Sequence, residues 1–303
     1  MSRPQAISLM IVVTLLWSMA GVVTRHLDTA RSFEVTFWRS GFCVIALAFA
    51  LTLTRGPGLW RKLLHPSKVI WISGICWSIM FTAFMVAITL TTVANVLIVM
   101  ALGPLITALF THFFLHHRLA TTTWLAIAVA ALGIVWMFLY DKDATFSMIG
   151  SLVSLGVPVA AAINFTLLQH IGLDRTITPD NKPVQDMLQA VLIGAMLSTL
   201  AMLPLAWPFQ ASPHDLGLLS LLGIFQLATP CLLVVRLTKE LSAPELSLLG
   251  QLEVIFGVTW AWLWAGEQLS IHTLSGGLLV LGALVANELF RIFRRNRAER
   301  LLR

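Results

Sequence analysis

Apolar runs of about twenty residues follow one another along nearly the whole chain, separated by short segments rich in charge, proline or glycine. A run of roughly 18 or more residues with few charges is long enough to cross the ~30 Å hydrocarbon core of a bilayer. Ten such runs are read, over 5–25, 34–54, 69–90, 93–115, 121–140, 147–171, 184–207, 214–236, 243–265 and 270–290. Together they fill more than two thirds of the 303 residues, which leaves no room for a soluble domain. Only 11% of residues are charged, against about 25% in soluble domains, too few to cover a water-facing surface. The chain is expected to be an all-α integral membrane protein. Cytosolic enzymes, secreted binding modules and DNA-reading proteins are excluded together. The first run is read as a membrane helix rather than a removable leader, because further spans follow it.

Basic residues fix the expected orientation. With the N-terminus inside, sixteen Lys and Arg fall in inside segments: Arg3, Arg55, Arg61, Lys62, Lys68, Arg118, Arg175, Lys182, Arg236, Lys239 and six arginines from Arg291 to Arg303. Three fall outside, Arg25, Arg31 and Lys142, and Arg39 lies within a span. Cytoplasmic loops carry the excess of Lys and Arg, so both termini are expected in the cytoplasm. The net charge of +6 is therefore no sign of a nucleic-acid partner; the basic C-terminal cluster suits anionic lipid headgroups. Cys43, Cys76 and Cys231 all lie in apolar runs without CxxC spacing, so neither a disulfide framework nor a zinc site is expected.

The chain divides near Asp141–Phe146 into two sets of five spans. The segment Ala94–Gly133 has a counterpart at Ala243–Gly282. Each holds a perturbed position within its first span (Gly103-Pro104; Glu253-Val254), a Leu-small pair (Leu119-Ala120; Leu269-Ser270) and a glycine-containing closing span. An odd number of spans per half makes the halves enter the membrane from opposite sides. That is the inverted-repeat plan of many secondary transporters, whose substrate site lies near the bilayer midplane between repeats. The expected organisation is a first repeat over 1–140, a second over 147–290 and a basic cytoplasmic tail over 291–303, with a central cavity between the repeats.

The second half carries Ser242-Ala243-Pro244, Leu252-Glu253-Val254, Gly266-Glu267-Gln268-Leu269-Ser270, Gly276 and Gly282. This succession resembles the EamA-type transporters of the drug/metabolite transporter superfamily, and the first half resembles them through Trp17, Arg39, Pro104 and Gly133. Two positions depart from that pattern: Val254 stands where the family has proline, and His117 where it has an acid. The resemblance implies a ten-helix carrier of small molecules. Bacterial exporters of aromatic and other amino acids are the subgroup it most suggests.

Glu253 is expected ~15 Å into the ninth span, at 1.5 Å per residue, near mid-membrane. A carboxylate there is a candidate for proton exchange or for facing a substrate amine; the alternative is a hydrogen-bonded acid tying helices together. Gln251 points to another helix face. Arg39 is read as structural or gating, by snorkelling or by pairing with Glu34 or Glu267, with a substrate carboxylate as the other reading. Trp17 and Trp77, both near mid-depth, could line a cavity or simply pack, whereas Trp60, Trp71, Trp124, Trp207 and Trp264 read as interfacial anchors. Asn95, Asn164 and Gln226 are interhelical glue or substrate ligands. Pro104, Pro158 and Pro230 should kink their spans and free carbonyls that protein groups or a wet cavity must meet. His112 and His116 have metal-pair spacing without a third ligand nearby, which favours solvated or gate-lining histidines.

No GxxxxGK[ST], HExxH or GxSxG occurs, which argues against ATP hydrolysis, zinc hydrolysis and esterase chemistry. The expectation is therefore a non-enzymatic secondary transporter of the inner (plasma) membrane. It would use no cofactor or metal and export a small metabolite, amino acids including aromatic ones foremost. The alternatives are a multidrug exporter of cationic or apolar compounds and, more remotely, an intramembrane enzyme on lipid-linked substrates. A monomer or weak dimer, in contact with lipid and a small-molecule substrate, is expected.

Overall fold

In lipid every backbone N–H and C=O must be met within the protein, and helices meet them locally. The computed structural model describes residues 3–56, 60, 63, 66–115, 120–140, 148–177, 187–237, 240–241, 249–267 and 270–301, and among these it is helical with no strand. Arg61, Lys62, Arg118, Lys142, Lys182, Lys239, His116, His117, Leu119, Ser242, Ala243, Pro244, Gln268 and Leu269 lie outside the described residues.

The first half holds α1 (Arg3–Thr24), α2 (Ser32–Arg55), α3 (Lys68–Leu90), α4 (Val93–Met100), α5 (Gly103–Leu115) and α6 (Thr121–Tyr140). The second holds α7 (Met148–Ile177), α8 (Met187–Ala206), α9 (Pro213–Leu221), a π-helical segment (Leu222–Ala228), α10 (Thr229–Leu237), α11 (Leu252–Trp264) and α12 (Ile271–Leu301). Among the described residues six helical stretches are long and apolar enough to cross a membrane: Arg3–Thr24, Ser32–Thr54, Lys68–Leu90, Val93–Phe114, Leu188–Ala206 and Pro213–Val234. Shorter apolar helices cover Thr121–Trp136, Met148–Asn164, Leu252–Trp264 and Ile271–Asn287. Each of the ten runs read from the sequence overlaps one of these segments. Helix α12 runs unbroken to Leu301.

The helices carry apolar residues outward. On α2, Ile45, Phe49 and Leu53 form an i, i+4, i+8 stripe, each about two-thirds exposed. Such a face suits lipid rather than water. Polar side chains lie inside instead, where Ser198 of α8 hydrogen-bonds Ser40 of α2 at 3.0 Å and Thr82 of α3 at 2.9 Å. Pairings run between α2 and α8, α6 and α12, α3 and both α7 and α8, α5 and α7, α1 and α11, and α2 and the π-helical segment.

Three spans are irregular in mid-course. The span 93–115 breaks at Ala101–Leu102, and Pro104 is then the second residue of α5. The π-helical segment precedes Pro230, the second residue of α10. Proline is tolerated in a helix's first turn, where its missing N–H would lack an intrahelical partner anyway. So Pro104 stands at a helix start just after an interruption, whereas Pro230 follows a π-helical stretch within a continuous helical run. Pro158 and Pro204 sit inside the uninterrupted helices α7 and α8. In the ninth span the chain turns at Gln251 and α11 begins at Leu252.

At the end of the bundle that the basic asymmetry assigns to the outside, acids of one half bind loop backbone of the other. Glu34, fully buried, accepts from the N–H groups of Gln210 (2.9 Å) and Ala211 (2.8 Å) and from Trp38 Nε1 (3.3 Å). Asp215 accepts from the N–H groups of Asp28 (2.7 Å), Thr29 and Ala30 (3.0 Å each) while completing a capping box with Ser212 at the start of α9. Glu267 accepts from Arg25 Nε at 2.9 Å and from the Val93 N–H at 3.0 Å, and Arg25 Nη2 also donates to the Thr91 carbonyl at 2.7 Å.

Two outcomes follow for stability. Glu34→Gln turns an amide NH2 toward backbone donors. It should cost about 1–3 kcal/mol, seen as a lower melting temperature of the purified protein; an unchanged melting point would contradict the arrangement. Gly223 lets the π-helical segment touch α2, since a Cβ there would stand 2.6 Å from the Arg39 carbonyl oxygen and 2.9 Å from the Cys43 nitrogen. Because both obstacles are backbone, Gly223→Ala should destabilise by about 1–3 kcal/mol, measured in the same melting assay.

Candidate functional site

Arg39 on α2 is a buried cation, 2% exposed. Its Nε donates to Gln226 Oε1 at 3.1 Å, and its guanidinium lies 5.6 Å from the centre of the Phe84 ring on α3. The Nη1 atom is buried with no hydrogen-bond partner among the described residues. Gln226 is fixed from its other end, where Nε2 donates to the Trp17 carbonyl of α1 at 3.1 Å. One amide thus joins α1 and α2 of the first half to the π-helical segment of the second. The extra residue per turn of a π-helix occurs where this long-range link is made.

Glu253 occupies the first turn of α11, half-buried. A carboxylate is favoured there because the unpaired N–H groups of a helix start carry partial positive charge. Glu253 and Arg39 lie within electrostatic range of each other. One turn-pair further along α11, Trp260 Nε1 donates to Ser18 Oγ at 3.1 Å, holding α11 against α1. Trp17, Arg39 and Gln226 are therefore brought into one hydrogen-bonded group, with Glu253 in its electric field.

The other candidates fall elsewhere. Arg39 does not pair with Glu34 or Glu267, as the sequence suggested: both carboxylates turn to loop backbone and to Arg25 at the outer end. It does not snorkel either, being enclosed by protein. Trp77 packs on Phe81 with 5.5 Å between ring centres, and its Cβ faces Gly194 of α8. It fills the α3–α8 seam, and its Nε1 has no partner among the described residues. Asn95 begins α4, its Nδ2 donating to Thr91 Oγ1 at 3.3 Å. Asn95 Oδ1, Asn164 Oδ1 and Gln251 Oε1 are each buried without a partner among the described residues. Buried polar atoms are normally satisfied, so these acceptors, with Gln251 Oε1 beside the interruption in the ninth span, mark places where a ligand donor could be taken up. Pro104 sits beside the interruption in the fourth span, with Gly103 facing Pro158 of α7.

Asp28, His214 and Asp215 bring potential metal-ligand atoms within 4.8 Å of one another. Asp215 already accepts four backbone N–H bonds and one from the Thr29 hydroxyl, so its carboxylate serves as a cap and loop clamp. Span reading passes over this residue; its local signal is Ser212-Pro213-His214-Asp215, a capping-box spacing with proline at the first helical position. A groove of about 320 Å³ between α6 and α12, lined by Leu125, Val129, Leu278 and Phe290, is largely apolar and opens on the lipid-facing side, apart from Arg39.

The chain is similar to known proteins over nearly its whole length. The pseudopaline exporters CntI of two strains of Pseudomonas aeruginosa are each 23% identical to it over 274 residues, 88% of this chain and 90% of the relative. A solved crystal structure, 20% identical, superposes with a TM-score of 0.60 and covers 97% of this chain and 99% of that one, a likeness of fold. The model of the EamA-like transporter family matches twice, over residues 4–139 and 148–287. Those two matches take in all of the groups around Arg39, and the chain belongs to the EamA-like transporter family.

Proposed function

We propose that this transporter exports a small metabolite by alternating access across the inner (plasma) membrane, with amino acids, aromatic ones included, as its substrate class. The observation that carries the proposal is the buried polar group Trp17–Gln226–Arg39, which ties the two halves together inside the bundle. Polar and ionisable groups at such a place are costly and mark substrate pathways. Export is also the role of the Pseudomonas relatives.

The reading includes ten spans, both termini in the cytoplasm and two inverted repeats. The helix pairings support it, because they are nearly unchanged when the halves are exchanged. The contact of α1 with α11 corresponds to that of α7 with α4 and α5. The contact of α3 with α8 corresponds to that of the π-helical segment with α2, while α2–α8 and α6–α12 each map onto themselves. Interruptions at Ala101–Leu102 and Gln251 fall in corresponding spans, as in transporters whose broken helices frame the site. Glu253 is the coupling residue in this reading, with Asn95, Asn164, Gln251 and the backbone freed near Pro104 as further substrate contacts; Trp77 shapes the α3–α8 wall. A multidrug exporter of cations is less well supported, since the buried charge of the Trp17–Gln226–Arg39 group is itself a cation.

Purified protein in liposomes, given labelled phenylalanine and tryptophan with and without an imposed pH gradient, tests this. Saturable flux accelerated by the gradient is expected, and Glu253→Gln should lose the acceleration. Equal flux with and without the gradient in both proteins would make the carrier a facilitator and Glu253 structural. No flux of either amino acid would overturn the aromatic reading.

A further inference from the structure

We propose that Arg39 binds a carboxylate of the transported molecule while Gln226 holds the guanidinium in place, so that the substrates of this carrier are carboxylates. This rests on the transport function proposed above and narrows its substrate class.

A guanidinium offers five N–H donors in a rigid planar fork and no acceptor. In this structure Nε is spent on Gln226 Oε1 and one face of the group is turned to Phe84. Nη1 is enclosed and unpaired among the described residues. A buried cation in that condition is unfavourable unless an anion arrives to complete it. Three acids that could have done so permanently are engaged at the outer end, Glu34 and Asp215 by backbone N–H groups and Glu267 by Arg25 and the Val93 N–H. Glu253 lies in Arg39's electric field, yet Nη1 remains without an acceptor.

Gln226 makes the open valence directional. Its carbonyl end takes Nε and its amide end is anchored on the Trp17 carbonyl, so the guanidinium cannot swing to use Gln226 differently without breaking a second bond. The edge left for a ligand is the one bearing Nη1. A carboxylate matches that edge with charge-assisted hydrogen bonds, which a lysine ammonium cannot reproduce in planar form. For an amino acid the ammonium would be balanced by Glu253, the acid already within range.

The test is flux of labelled phenylalanine and aspartate into proteoliposomes, with competition by phenylalanine, 3-phenylpropionate, phenylalaninamide and phenethylamine, and with ethidium efflux measured in parallel. The two acids should compete at least about tenfold better than the amide and amine. Arg39→Lys, checked for folding by its melting temperature, should raise the half-saturating phenylalanine concentration by about ten- to a hundred-fold and erase the preference for acid over amide. Gln226→Ala should do the same more weakly. Equal competition by acid and amide, or a preference that survives both variants, would overturn the assignment. Ethidium transport without phenylalanine or aspartate transport would overturn it while leaving a carrier. Movement of none of the three solutes would overturn the transport reading and this inference together.

Discussion

Three buried carboxylates hold one end of this bundle shut, and the arrangement of everything beneath them depends on that. Glu34, Asp215 and Glu267 each reach from one half of the chain to backbone N–H groups of the other. Ionised acceptors make stronger hydrogen bonds than neutral ones, and the loops they hold are short, so α1, α2, α4, α9 and α11 are registered against one another at this end. The register places Arg39 opposite Gln226 and Trp17 opposite the same amide. Without it, the bonds of the Arg39 group and a few serine and threonine contacts would have to set the register of these helices.

Below that end the bundle departs from regular helix where its polar groups meet. The fourth span breaks at Ala101–Leu102, the ninth turns at Gln251, and the eighth widens into a π-helical segment carrying Gln226. Regular helices would satisfy their own backbone and present only side chains. Interrupted ones add free backbone groups and helix starts, which favour anionic groups such as the carboxylate of Glu253. Gly223 completes this by letting the widened segment lie against the backbone of Arg39. The same geometry provides both close packing between halves and a small number of unsatisfied polar atoms, a combination suited to a site that a solute visits.

Much of this was legible in the sequence. Hydropathy alone locates the helices, because lipid permits little else, and Glu253, Arg39 and Gln226 stand out as polar residues in apolar runs. Their partners did not. Arg39 meets an amide 187 positions away rather than either nearby acid, since Glu34 and Glu267 are captured by loop N–H groups that no local pattern reveals. Trp77 and Trp17 read alike as aromatic residues at mid-depth, yet one packs in the α3–α8 seam and the other contributes its carbonyl to the Arg39 group. Pro104 and Pro230 marked irregular places, though in both the irregular backbone precedes the proline, and Pro158 lies within a regular helix. The capping box at Ser212–Asp215 was readable locally; the second role of Asp215, as a clamp on residues 28–30, was not.

If alternating access requires the outer end to open, then holding it shut must stop transport. The direct measurement is flux through a variant carrying Arg25→Cys and Glu267→Cys, which replaces the ion pair near the ends of α1 and α11, joined by a short bis-methanethiosulfonate that forms a reducible disulfide to each cysteine with release of methanesulfinate. The native Cys43, Cys76 and Cys231 are buried and leave a low background. The account predicts that cross-linking abolishes flux and that cleaving the link restores it. Full flux with the cross-link verified in place would contradict it.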